Sequence, residues 1–161
     1  MMIVGEKMTI ASGEKVFILR YNDNYIQNAM EYHKEICDRE GFCWYGKAGK
    51  KPSMEKLCQF VEGGKTKILF YNKKDMYIGN LLDVSSDMPQ NGFPDYYIKS
   101  MWKPNSWYMV SGLEKISRNC LGNLIVISTK KTMAETINSS MTSFYFTVAD
   151  RIIELRRDEN A

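Results

Sequence analysis

The chain reads as an α+β protein, a mixed and strongly curved β-sheet or small barrel flanked by helices. Two observations carry that reading. Its apolar pattern runs strand, helix, strand, helix, and then several strands with short interruptions, which is not the regular alternation of a doubly wound α/β fold. Its 161 residues, 44% hydrophobic and 25% charged, suit one domain large enough to bury a core without disulfides or a metal. No internal repeat appears, and no linker is rich enough in Pro, Gly or Ser to split the chain. The expected domain spans 15–148, between an N-terminal extension, 1–14, and a charged C-terminal segment, 149–161.

Lys15 to Tyr21 (KVFILRY) is a short apolar, β-rich run and reads as the first strand. A helix is expected over Asn24 to Glu40, because Ile26, Ala29, Met30, His33 and Cys37 fall at helical spacing and Gly41 provides a stop. Phe42 to Gly46 follows as a strand and Lys47 to Lys51 as a loop. Ser53 caps a second helix with Leu57, Phe60 and Val61 facing inward, ended by Gly63-Gly64. Lys67 to Asn72 and Met76 to Val84 form a hairpin around Asn72-Lys73-Lys74-Asp75. Ser85 to Pro94 is a polar loop and Pro94 to Met101 a helical turn. Trp107 to Ile116, Leu124 to Ser128 and Ser143 to Val148 read as strands. Thr129 to Thr142 reads as a short helix or ordered loop, and Asp150 to Ala161 as a helix or frayed tail.

The four cysteines, Cys37, Cys43, Cys58 and Cys120, show no C-x-x-C pair and no metal-like spacing. Reduced, mostly buried thiols in a cytoplasmic protein are the expectation. No apolar run approaches the ~20 residues of a membrane span, and the N-terminus lacks the apolar region of a signal peptide. The net charge of +3 carries little, but Lys47 to Lys74 holds eight lysines against two glutamates. Such a local basic patch is the footprint of a polyanion site or a solvated lysine face.

Apparent catalytic signals fail on inspection. Gly64-Lys65-Thr66 resembles the end of a P-loop, but the position five residues before Gly64 is Gln59, not glycine, and the motif follows a helix instead of a strand. Ser53-Met54-Glu55-Lys56 matches S-x-x-K, yet a helix N-cap is the better role for Ser53. His33 is the one histidine, so any Ser-His or Cys-His mechanism must use it. Its helical spacing with Met30 and Cys37 marks a packed core-edge residue. Asp83, Asp87 and Asp95 lie in loop-rich sequence, where aspartates usually serve turns. No catalytic residue, metal or cofactor is expected.

The aromatic residues point elsewhere. Phe42-Cys43-Trp44-Tyr45-Gly46-Lys47-Ala48-Gly49-Lys50-Lys51 is an aromatic strand running into a basic loop, and Tyr96-Tyr97-Ile98-Lys99-Ser100-Met101-Trp102-Lys103 is a second such cluster, followed by Trp107-Tyr108. Stacking faces interleaved with cations are what bases and phosphates need. Phe17, Tyr21, Phe70, Phe144 and Phe146 sit inside apolar strands and read as core.

The order of FCWYGK, the hairpin KILFYNKKDMYIGNLLDV, PDYY, WYMVSGL, STKK and SMTSFYF resembles the PUA-like superfamily and, within it, the EVE and YTH-like domains, over roughly residues 15 to 148. The resemblance implies a curved barrel with flanking helices that reads a modified base, accepted into an aromatic pocket, as in modification-dependent restriction systems. It implies cage walls from Trp44, Trp102 or Trp107, with Tyr45 or Tyr97 nearby. It implies phosphate contacts from Lys47, Lys50, Lys51, Lys130 and Lys131, and base-edge hydrogen bonds from Ser128 or the Ser139-Ser140 pair. The expected partner is nucleic acid, DNA carrying a modified base, with a separate nuclease or nucleotidase as effector. An RNA-binding PUA-like module, and a small-ligand sensor or protein-interaction domain, are the alternatives.

Overall fold

The computed structural model describes residues 8–21, 27–62, 64–101, 103–139 and 142–157. In chain order the strands and helices are β1 (Met8–Ile10), β2 (Lys15–Arg20), α1 (Ala29–Glu40), β3 (Cys43–Lys47), α2 (Met54–Val61), β4 (Thr66–Tyr71), β5 (Met76–Ser85), α3 (Tyr96–Lys99), β6 (Ser106–Ile116), β7 (Leu124–Val126), α4 (Met133–Thr136), β8 (Phe144–Ala149) and β9 (Ile153–Leu155), with a 3-10 turn at Leu121–Asn123. The α+β class holds. Seven strands form one sheet in the order β3-β6-β5-β4-β2-β8-β7. Its pairings are antiparallel except β2 with β4, which are parallel because the α1–β3–α2 stretch carries the chain back across the sheet. The expected curved sheet or small barrel takes the form of an open sheet, with β3 and β7 as its edges.

The central strands are buried on both faces, which is why they read as unbroken apolar runs instead of alternating ones. Val16, Ile18, Leu69 and Tyr71 point into one core layer, Phe17, Leu19, Ile68 and Phe70 into the other. Met30, Ile36 and Cys37 of α1 and Leu57 and Phe60 of α2 cover the second layer. The first is closed by Leu121, by Met133 of α4, and by a two-stranded ribbon in which β1 pairs antiparallel with β9. Residues 8–10 and 153–155 therefore belong to the packed body. The C-terminal stretch read as a helix or frayed tail is a strand through Leu155, since Ile10, Ile153 and Leu155 alternate inward and bury their side chains.

Local chemistry sets several boundaries. Asn28 holds the left-handed conformation at φ 59° just before α1, and Gly41 (φ 89°) ends it by donating its N–H to the Cys37 carbonyl at 2.9 Å. The predicted start at Asn24 and the position Ile26 lie outside the described residues. Ser53 Oγ caps α2 by accepting the Lys56 N–H at 3.3 Å. In the β4–β5 turn, Asn72 Oδ1 accepts from the backbone of Lys74 at 2.8 Å and Asp75 at 2.6 Å, a side chain closing its own turn.

Candidate functional site

The predicted cage aromatics come together, but in the interior. Tyr45 on β3, Tyr97 on α3 and Trp107 on β6 are 7%, 3% and 0% exposed. Tyr97 packs edge-on against Trp107 with ring centroids 4.9 Å apart, Phe93 sits 5.6 Å from Trp107, and Tyr45 lies 5.0 Å from the His33 ring and 4.8 Å from Phe70. Each ring's partners are other rings of the same cluster. The glycine in Trp-Tyr-Gly-Lys is needed for this closure. Gly46 pairs across the sheet with Trp107, and a Cβ on it would stand 2.7 Å from the indole and 2.8 Å from Pro104. What approaches Gly46 closely is the chain's own tryptophan. The expectation that these three rings form a ligand-facing cage is corrected accordingly. Trp44 is half-buried on β3, and its backbone N–H donates to the Gly92 carbonyl at 2.7 Å. Trp102 and Ser140 lie outside the described residues.

Buried hydrogen bonds fix the cluster. His33 is 0% exposed, with Nδ1 2.7 Å from the Ala29 carbonyl and Nε2 2.7 Å from the Tyr97 hydroxyl. A carbonyl only accepts, so Nδ1 carries the proton and Nε2 takes the Tyr97 O–H. The Tyr97 oxygen in turn accepts the Gly46 N–H at 2.8 Å. Burial lowers the His33 pKa to about 4, against the opposing pull of the Ala29 carbonyl, and burial raises that of Tyr97. The histidine is thus a neutral tie between α1, α3 and β3. Trp107 Nε1 is buried with no hydrogen-bond partner.

The five predicted phosphate lysines fall at opposite ends of the sheet. Lys47 belongs to β3, and Lys50 and Lys51 follow it, whereas Lys130 and Lys131 follow β7. At the usual strand spacing the two edges are roughly 29 Å apart, so the lysines do not form one surface. Lys47 donates from Nζ to the Arg20 carbonyl at 2.7 Å, and its pKa is lowered first by burial and then by Arg20. Lys51 donates to the Asn105 carbonyl at 3.2 Å, and Lys50 is exposed.

The β7 end builds a different site. A groove of about 880 Å³ runs between α2, β8 and the segment after β7. Ser128, Lys131 and Ser139, three of the predicted contacts, line it. Lys130 does not, because it takes the left-handed conformation at φ 63° and closes the turn by donating its N–H to the Val126 carbonyl. Lys15, Lys56, Gln59, Phe60, Phe144 and Phe146 also line the groove, with Thr129, Thr136 and Thr142 among its hydroxyl groups. Among the described residues no acidic residue and no histidine lines it. Phe60 and Phe146 meet edge-on at 4.9 Å, and Phe144 and Phe146 at 6.2 Å, so the floor is a herringbone of rings. Lys15 donates to the Phe60 carbonyl at 3.0 Å and stands 5.5 Å from that ring's centroid, while Lys56 and Lys131 are exposed.

Phe144 and Phe146, expected in the core, pack against the core layer under α2 and also face the groove. They project from the same face of β8 and stay half-buried, because the edge strand β7 is only three residues long and pairs with Leu124↔Ala149 through Val126↔Thr147. A readable signal for the opposite wall was the i, i+3, i+4 set Lys56, Gln59 and Phe60, which shares one face of α2. A smaller concavity of about 450 Å³ beside the aromatic cluster is lined by Tyr32, Phe93 and Tyr96 together with Glu35, Asp95 and Arg39. Its carboxylates make it a poor seat for a polyanion.

Among the described residues no group of three or more His, Cys, Asp or Glu is arranged to hold a metal ion, and no helix is long and apolar enough to cross a membrane. No protein family, curated protein or solved structure matches the chain.

Proposed function

We propose that the chain is a non-catalytic nucleic-acid-binding domain that recognises a modified base, in DNA, at the groove on the β7 side of the sheet. One observation carries the reading: exposed cations, aromatic rings and hydroxyl groups share a single concavity that, among the described residues, holds no carboxylate. An extruded base gives up a few kcal/mol of stacking and pairing. Contact with aromatic rings returns roughly 1–3 kcal/mol per base, and the exposed faces of Phe144 and Phe146 supply it. Lys56 and Lys131, on opposite walls, take the flanking phosphates, while Ser128 and Ser139 address the base edge. The kinship with PUA-like readers, a cytoplasmic setting and a separate nuclease or nucleotidase effector belong to the same proposal. The order of elements and the mixed sheet with helices on it favour the kinship, and the setting and the effector rest on that kinship.

The test is fluorescence anisotropy with matched DNA duplexes, unmodified or carrying methylated or hydroxymethylated cytosine or methylated adenine, and with RNA of the same sequence, each at low and moderate salt. The expected result is salt-sensitive binding that is stronger for one modified duplex and lost in Phe144→Ala/Lys131→Ala. Equal binding to every duplex leaves a nucleic-acid binder and removes the modified-base reading. Preference for RNA, through its 2′-OH, moves the reading to an RNA-binding module. No binding to any nucleic acid at low salt refutes it.

A further inference from the structure

Two of the cysteines, which spacing alone leaves unremarkable, meet in the core. Cys37 sits in the last turn of α1 and Cys43 begins β3, with the Gly41 turn between them. Their Sγ atoms are 3.1 Å apart, inside the roughly 3.5–4.0 Å at which packed heavy atoms have their contact optimum. Cys37 also donates its S–H toward the Val110 carbonyl at 3.4 Å. The other two thiols lack such a neighbour: Cys58 is exposed on α2, and buried Cys120 has Met76 Sδ at 3.8 Å. We propose that Cys37 and Cys43 form a redox modification site, a dithiol that a hydroperoxide converts to an intramolecular disulfide.

Cys37 is the attacking sulfur and Cys43 the resolving one. Of the pair Cys37 is the more exposed, 5% against 1%, and it lies at a helix end, where local opening is easiest. The hydrogen bond between the two thiols lowers the Cys37 pKa and, with burial, raises that of Cys43. The Cys37 thiolate attacks one peroxide oxygen, the O–O bond breaks, and the departing oxygen takes a proton to leave as water or alcohol. Cys37 is then a sulfenic acid. The Cys43 sulfur attacks it, the Cys37 S–O bond breaks, and water departs with the Cys43 proton as the S–S bond forms. Two electrons pass from the thiol pair to the peroxide. The product ties the C-terminal turn of α1 to β3, one strand position before Trp44.

The experiment uses the full chain with Cys58→Ser, which leaves three of the four thiols. Reduced folded protein is treated with hydrogen peroxide, quenched, denatured and assayed for free thiols, and its peptides are mapped by mass. The expected result is a fall from three thiols to one, with a Cys37–Cys43 cross-linked peptide lighter by two hydrogens and reversible by dithiothreitol. Because both core thiols are intact, the readout does not depend on whether Cys37→Ser folds. Three thiols persisting in the folded protein, or Cys37 advancing to a sulfinic acid with Cys43 still reduced, overturns the proposal.

Discussion

Acid should destabilise this fold through one buried side chain. His33 is fully buried as the neutral tautomer between Ala29 and Tyr97, with a pKa of about 4 in place of the usual 6.5. The unfolded chain binds that proton more readily, so stability is fully present above pH 6.5 and falls as pH drops toward 4. At 1.36 kcal/mol per pKa unit the whole loss is about 3 kcal/mol, of which about 2 kcal/mol has accrued by pH 5. The assay is urea unfolding at intervals from pH 7.5 to 5.0, on the native chain and on His33→Gln. The native chain should lose about 2 kcal/mol across the window and the variant well under half of that. Because the chain has one histidine, its ring resonance in NMR is unambiguous and should stay unprotonated in the folded state throughout. A flat native profile, equal slopes in the two proteins, or a ring that titrates near 6.5 would refute the buried-tie account.

Three further outcomes follow from the same geometry. Tyr97→Phe removes the hydroxyl that serves both His33 Nε2 and the Gly46 N–H, and leaving a buried polar group unpaired costs about 1–3 kcal/mol in denaturant unfolding. Gly46→Ala forces the Trp107 indole and Pro104 aside from contacts of 2.7 and 2.8 Å. A loss of about 1–3 kcal/mol is expected, accompanied by a change in near-UV circular dichroism that a surface glycine would not produce. Lys56→Ala and Lys131→Ala should each reduce the slope of log K against log salt by about 1 for a duplex ligand, while Lys50→Ala, at the far edge of the sheet, leaves the groove's salt slope unchanged.

Local sequence carried much of the fold because its signals act within a few residues. The runs KVFILRY and KILFYN read as strands from their apolar, β-rich residues, and the sheet order places both centrally. Ser53 before an amphipathic turn, Gly41 after α1, and Asn72 in a four-residue turn each act through their own backbone neighbours. The short strands β1 and β9 lie in segments without an apolar run: MTI and IEL each carry a polar residue between apolar ones, too short to show a period. Their burial comes from pairing ends of the chain that lie far apart in sequence.

The site was legible only in part, and for a physical reason. A tryptophan flanked by glycine, lysine and proline looks the same in sequence whether its ring faces solvent or another strand. Trp107 is interior because the register of β3 against β6 sets it opposite Gly46, and the lysine runs are separate because strand order puts β3 and β7 at opposite edges. The α+β class and the positions of most strands followed from sequence alone. Which rings close on one another, which stay open beside Lys56 and Lys131, and which two thiols meet were decided by contacts between distant residues, and those exist only once the sheet has assembled.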